Sequence, residues 1–394
     1  MDIYNTGQGR MQYAPTPFHY FSLLLKKNPL NQPIFIQILL FITGIVSVAY
    51  LLLLLCSIPF RKTLPETISS EGVTVLIAAH NERENLSQFL PSVLNQSYPL
   101  FEIIVVCDRC TDGTVSYLKS LSNKNLRIIE VNGKTQGVHP KKAALQTGIK
   151  AARYDWILLT DADCRAASDG WISGMMAAKE DKAICLGISM YEKRPGFLNT
   201  FIQFETLFTA FQYTGWAILG KPYMAVGRNL LYSKQLFINT GGFGKYGGHL
   251  GGDDDLLIQR LATGRNTTVC INTESFTLSR PAEGFSVWWR QKHRHLHAGK
   301  KYPIGVLINL CIYPVCSTIF YAGIIYSGIS FNFAEIMLFY ILRTCIFISI
   351  FVCMGRKWNV PVSIFFLPIA EIVYLIYLLF AGLYNTAVPI KKWK

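Results

Sequence analysis

Between residues 28 and 60 the chain carries no charged side chain. Within that interval "PIFIQILLFITGIVSVAYLLLLLC" is long enough to cross the hydrocarbon core of a bilayer as a helix. The stretch begins too late, runs too long and lacks the small-residue cleavage site of a secretory signal peptide. After Lys301 the chain turns apolar again in "YPIGVLINLCIYPVCSTIFYAGIIYSGISF", and two further runs follow near residues 336–355 and 362–383. Four spans are expected. The last two carry Arg343 and Glu371, which at that depth should face other helices, each other or a cavity, because facing lipid is costly. The alternative for one of these two runs is a re-entrant or interfacial helix.

Basic residues favour the cytoplasmic side of a membrane. Arg61 and Lys62 follow the first span, Lys300 and Lys301 precede the second, and Arg356 and Lys357 separate the third from the fourth. With four spans these sites share one side, which implies a multi-pass protein of the cell (inner or plasma) membrane with a cytoplasmic central domain. Lys26, Lys27 and the "KKWK" tail then fall on the opposite side. The net charge of +14 suits a chain lying against anionic headgroups, each nearby basic residue adding about 1 kcal/mol. Nucleic acid is not an expected partner: the basic residues are scattered, and no zinc-finger, homeodomain or RNA-binding signature occurs. Of the ten cysteines, Cys311, Cys316, Cys345 and Cys353 lie in the C-terminal apolar runs and Cys56 ends the first. The rest lack framework spacing, so no disulfide scaffold is expected.

The expected organisation is an N-terminal segment (1–32), a first span (33–60), a central domain (71–302) and three membrane or membrane-associated helices (303–390). In the central domain short β-branched runs alternate with helical stretches. The strand candidates are "VTVLIAA", "EIIVVC", "LRIIEV" and "DWILLT"; "TVSYLKSL" and "KKAALQTGIKAA" are helical. This alternation predicts an α/β fold with a mostly parallel sheet covered by helices. Ligands bind such sheets beyond the carboxyl ends of the strands. Two strand ends are acidic there, one running into Asp108 and Asp112, the other into Asp161 and Asp163. With no G-x-G-x-x-G and no Walker sequence, neither a dinucleotide-binding dehydrogenase nor an NTPase is indicated. Hard oxygen ligands suit Mg²⁺ or Mn²⁺, although an isolated D-x-D is more often a helix cap or a solvated loop.

These segments together resemble a family 2 glycosyltransferase of the GT-A fold, over roughly residues 73–302. "VTVLIAAHNERENL" resembles the family's opening strand and P-A-Y-N-E turn through Asn81 and Glu82, with Ala78 in place of proline. "EIIVVCDRCTDGT" is similar to "EIIVVDDGSTDGT", which puts Asp108 at the uracil-binding aspartate. "KKAALQTGI" matches K-G-x-A-L-N-x-G through Lys141, and "LLTDADC" supplies the D-x-D motif. "GGDDDLLIQRL" resembles E-D-x-D-L-x-x-R-L through Asp253 and Asp254, and "RQKHRH" resembles Q-x-x-R-W through Gln291 and Arg294, with His295 replacing tryptophan. The C-x-x-C pair Cys107 and Cys110 falls inside this pattern, and no second C-x-x-C completes a zinc site.

The resemblance implies an inverting transferase using a nucleotide sugar, with UDP the expected nucleotide. Asp161 and Asp163 are expected to meet the ribose and a divalent cation (Mn²⁺ or Mg²⁺), Asp163 as the direct ligand and Asp161 as the nucleotide or sugar contact. Gln291 and Arg294 are expected at the diphosphate. Asp254 is the expected base, with Asp253 the runner-up because "DDD" lets the register slip by one. Lys292 is expected on a basic surface face; for His293, His295 and His297 a catalytic and a surface role both stay open. Trp288 and Trp289 stand ready to replace the missing tryptophan or to anchor at the headgroups. The glycine-rich "TGGFGKYGGHLGG" reads as a solvated turn or as a mobile segment closing over the donor. The relatives in view are ceramide and other glycolipid glycosyltransferases, so a lipid acceptor is expected; the alternatives are an exopolysaccharide synthase and a non-catalytic nucleotide-sugar-binding membrane protein.

Overall fold

The structure is a computed structural model that describes residues 31–59, 70–133, 137–327 and 333–388. Lys26, Lys27, Arg61, Lys62 and the "KKWK" tail lie outside the described residues. A long apolar helix, α1 (Asn31–Ser57), is followed by β1 (Val73–Ala79), α2 (Arg83–Leu94), β2 (Phe101–Asp108), α3 (Thr114–Ser120), β3 (Leu126–Val131), α4 (Pro140–Ala151) and β4 (Trp156–Leu159). The next stretch has shorter elements: β5 (Cys164–Ala166), α5 (Trp171–Ala178), β6 (Ile184–Leu186), β7 (Ser189–Tyr191), α6 (Phe197–Ile218), β8 (Leu230–Ser233) and α7 (Lys234–Asn239). Then come α8 (Asp255–Leu261), β9 (Thr267–Val269), β10 (Thr277–Ser279), α9 (Phe285–Gly299), α10 (Ile304–Ser327), α11 (Phe333–Lys357) and α12 (Leu367–Ala387).

The main sheet is seven-stranded in the order β3-β2-β1-β4-β8-β6-β9. β1 runs parallel to β2 and β4, and β2 parallel to β3, while β8 is antiparallel to both its neighbours. The sheet is therefore mostly parallel, with one reversal at β8. All eight residues of β2 are buried, because helices cover both faces; this is why the strands read as unbroken apolar runs. Leu76, Ile104 and Val106 enter one core and Val75, Ile77, Ile103 and Val105 the other, as the period of two requires. A small second sheet, β5-β10-β7, continues from the carboxyl end of β4.

Helix α6 joins this domain to the long apolar helices α1, α11 and α12. It is buried nearly all round, as expected of a helix apolar on every face. Tyr213 on α6 donates to the Gly187 carbonyl at 2.7 Å on the sheet side. On the membrane side the Phe204 ring lies 5.0 Å from Phe351, and Phe208 lies 5.0 Å from Tyr313. Tyr50 of α1 accepts hydrogen bonds from Gln212 (3.2 Å) and Trp216 (3.1 Å) of α6.

Among the described residues four helices, α1 and α10 to α12, are long and apolar enough to cross a membrane. Arg343 on α11 and Glu371 on α12 face each other, bonded through both guanidinium nitrogens at 2.5 Å. Ser317 accepts from the same guanidinium at 2.9 Å, while Tyr313 and Tyr321 donate to the carboxylate at 2.5 and 2.8 Å. α12 starts later than the apolar run that announces it: Pro368 occupies the first turn, where its missing N–H goes unused.

Candidate active site

The glycine pair before the "DDD" triplet sets the geometry of the site. Gly251 and Gly252 have φ of +72° and +73°, and a Cβ on Gly252 would come within 2.5 Å of Leu256. This left-handed turn delivers Asp253, Asp254 and Asp255 to the carboxyl end of the sheet in three different environments. The Asp253 carboxylate meets the Lys141 ammonium at 2.8 Å. Burial opposes its ionisation, but Lys141 outweighs burial and holds the carboxyl below its usual range. Asp254 accepts from the Gly227 N–H and the Asp255 N–H, each at 2.8 Å. Burial, reinforced by the charges of Asp255 and Asp253, pushes its carboxyl up to about 8. Asp255 accepts from the Tyr302 hydroxyl at 2.8 Å.

Lys141 also reaches Asp161 at 3.0 Å, so one ammonium bridges the strand-end D-x-D and the "DDD" turn. Burial, then the charge of Asp161, raises the Asp163 carboxyl. That pair is short of positive charge, a condition a divalent cation relieves. Among the described residues no three His, Cys, Asp or Glu side chains form a protein-only metal cage. One or two carboxylates completed by substrate phosphates do not need such a cage.

Asp108 ends β2 with its carboxylate held by Arg109, at 2.8 Å from Nε and 2.7 Å from Nη2. His80 Nδ1 lies 2.6 Å from the Asp108 carbonyl. Ala78 and Glu82 line the same cavity. Asn81 instead ties the turn to the neighbouring loop, accepting from the Thr111 N–H at 2.8 Å. Asp112 accepts from the Thr114 N–H and the Arg83 N–H, both at 3.0 Å, at the starts of α3 and α2. Burial, with Cys110 beside it, pushes the Cys107 thiol up to about 12, so Cys107 stays a thiol near neutral pH.

From α9, Gln291 donates to the Tyr191 hydroxyl at 2.8 Å, and Arg294 and His295 line the cavity. Burial, then the charges of Lys292, Arg228 and Arg294, lowers His295 to about 3, so its imidazole is neutral. Lys292 is not on a surface face: it is buried and ion-paired with Glu205 of α6, a partner on a distant helix that a basic stretch does not reveal. Trp288 is buried against Phe201 and Tyr377, and Trp289 packs on Tyr377 and Tyr384 of α12. The glycine-rich loop is tethered, since Lys142 donates to the Tyr246 and His249 carbonyls at 2.6 and 3.1 Å. Sequence reasoning missed Lys142, Arg228 and Tyr191. The lysine doublet was a signal for the first; Arg228, which donates to Ser279 at 3.0 Å and stacks on Tyr191, had none.

Asp108, Lys141, Asp161, Asp163, Asp253, Asp254, Gln291, Arg294 and His295 border one cavity of about 1330 Å³ that runs on past α9 to α10 and α12. Residues 74–241 match the family model described as "Glycosyl transferase family 2". The chain is similar to the poly-beta-1,6-N-acetyl-D-glucosamine synthase of Staphylococcus epidermidis, 34% identical over 110 residues, 27% of this chain and 26% of the relative. The synthase of the same name from Staphylococcus aureus strain COL is 36% identical over 93 residues, 24% of this chain and 22% of the relative. The matched stretch thus spans about a quarter of the length of these relatives. Among solved structures, a mannosyltransferase from Pyrobaculum calidifontis in complex with GDP-mannose and Mn²⁺ superposes with a TM-score of 0.56 at 17% identity, over 90% of this chain and 97% of that one.

Proposed function

From a chain that carries a family 2 glycosyltransferase domain of the GT-A fold, we propose a membrane-bound inverting enzyme that moves a sugar from a nucleotide donor to a lipid acceptor. The observation that carries this reading is Asp254, a buried carboxyl raised to about 8 in the wall of a cavity that continues among membrane helices. A base titrating near the working pH is what proton removal in the transition state needs. Asp254 takes the proton of the acceptor hydroxyl. The acceptor oxygen bonds the anomeric carbon from the face opposite the leaving group. The bond from that carbon to the diphosphate breaks, its electron pair staying on the diphosphate oxygen, and the configuration inverts.

Asp253 serves a different end. Fixed as an anion by Lys141, it keeps that ammonium aimed between the two acidic motifs. Lys141, Arg228 and Arg294 all line the cavity, which supports their role as preplaced cations for the departing diphosphate. Asp163 and Asp161 would hold a divalent cation, Mn²⁺ or Mg²⁺, and that cation supplies further positive charge to the diphosphate when bound. A UDP donor is supported by Asp108, whose carboxylate accepts two N–H groups from Arg109 and can accept a uracil imino N–H in exchange for one of them. The cytoplasmic, multi-pass arrangement with the domain at residues 71–302 belongs to the same proposal; the four apolar helices support its multi-pass part.

A second reading, an exopolysaccharide synthase, is favoured by the names of the curated relatives. The test uses detergent-purified protein with Mn²⁺ or Mg²⁺, radiolabelled nucleotide sugars and host membrane lipids. Label passing into the organic phase, and lost in Asp254→Asn, is the expected result. Label in an insoluble polymer would instead establish the synthase, and nucleotide binding without transfer would establish a binding protein.

A further inference from the structure

The cavity has a second arm that the reaction as derived does not use. Beyond Arg294 and His295 its lining changes from charged to apolar, with Leu310, Val315 and Ile319 of α10 facing Leu378 and Gly382 of α12. These residues belong to helices long and apolar enough to span a bilayer. Lys300, at the end of α9, donates to the Asn385 carbonyl of α12 at 2.5 Å, and both residues line the cavity. From residue 307 to residue 319 a helix rises about 18 Å, enough for an extended chain of a dozen or more carbons.

The glycines separate this arm from ordinary helix packing. A Cβ on Gly44 of α1 would meet Phe339 at 2.6 Å, and one on Gly323 of α10 would meet Leu40 at 3.2 Å. Those two bring helices together, as small residues do in membrane bundles. A Cβ on Gly382 meets nothing within 4 Å, yet Gly382 lines the cavity. It leaves room instead of making contact. α10 is also the least enclosed of the four membrane helices, with 17% of its apolar stretch buried against 39% for α1 and α12, and Pro314 interrupts it, removing one intrahelical hydrogen bond at the level of the arm.

We propose that the gap between α10 and α12 is an acceptor-chain site that admits one lipid chain sideways from the bilayer core and presents its hydroxyl-bearing headgroup past His295 to Asp254. The site rests on the transferase reading of Asp254. A polar headgroup is drawn to the end lined by Arg294 and His295, while the hydrocarbon chain stays on apolar wall throughout its length. The chain therefore fixes the headgroup in register with the base, which is where intramolecular positioning gains its rate.

The test fills the gap. Gly382→Trp and Thr318→Trp place bulk on the two walls, and Gly305→Trp, a membrane-helix glycine outside the cavity with nothing within 4 Å of its Cβ, is the control. Each is assayed in nanodiscs for label in the organic phase and for donor hydrolysis to free sugar. The expected result is a loss of lipid labelling of about tenfold or more in the two cavity variants, with hydrolysis unchanged and the control like wild type. Wild-type transfer by both cavity variants overturns the site. A diacylglycerol with a diazirine in one acyl chain supplies a readout independent of turnover: crosslinks to Leu310 and Leu378 are expected in wild type and absent in Gly382→Trp. No such crosslinks in wild type overturn the site even if transfer is found; crosslinks without any transfer uphold it and sink the transferase reading.

Discussion

Two groups of buried charge, one among the long apolar helices and one at the carboxyl end of the sheet, are satisfied in opposite ways. In the membrane bundle Arg343 and Glu371 cancel each other, and hydroxyls of Ser317, Tyr313 and Tyr321 complete both. At the carboxyl end of the sheet Asp161, Asp163, Asp253, Asp254 and Asp255 crowd together, and Lys141 forms ion pairs with Asp161 and Asp253. The first group is closed and holds helices in place. The second leaves Asp163 and Asp254 raised by burial and by neighbouring carboxylates, and such unbalanced charge marks sites where chemistry happens.

Removing one member of each group should separate them most sharply. Asp254→Asn should cut transfer by about 10²- to 10⁴-fold, the usual worth of a general base, with nucleotide binding kept; rates within a few-fold of wild type would remove Asp254 from the chemistry. The same variant should raise thermal stability at pH 9. A folded carboxyl held near 8 and an unfolded one near about 4 make wild-type stability fall as pH rises between those values, and asparagine has no proton to lose. Glu371→Leu should act in the other direction. It leaves Arg343 buried without a partner, which costs about 3–5 kcal/mol, and most of that should return in the double variant with Arg343→Leu; thermal melts in detergent decide. Lys141→Met probes the one link between the two acidic motifs. It should weaken donor use by about 10- to 100-fold, the loss of one or two charge-assisted hydrogen bonds, read as a rise in KM for the nucleotide sugar, and it should also lower the melting temperature, because buried Asp253 loses its cation.

Strand β1 was legible in the sequence because burial on both faces left an apolar run, and its bounds coincide with "VTVLIAA"; the bounds of the partly exposed edge strand β3 coincide with "LRIIEV". Helix α6 was not. It is apolar on every face, shows no amphipathic stripe, and draws its meaning from partners in α1, α11 and α12. The three-residue strands β5, β7 and β10 are too short to carry a period of their own. In the site, aspartates at strand and helix ends announced themselves by position, since parallel sheets gather ligands there. Lys292 misled for the converse reason: it lies in a basic run, while its partner Glu205 stands on a distant helix. The membrane charges occupied the middle ground. Their cost in lipid required partners for Arg343 and Glu371, and each proved to be the other's partner.

The account turns on Asp254 ionising near neutrality and acting as the base. The direct measurement is kcat/KM for transfer between pH 5.5 and 9.5 in wild type, with Asp254→Asn measured alongside. The account predicts a wild-type rate that rises with pH through a midpoint of about 8, and a much lower, flat profile in the variant. A rising limb with the same midpoint in Asp254→Asn would assign the titration to another group and contradict it.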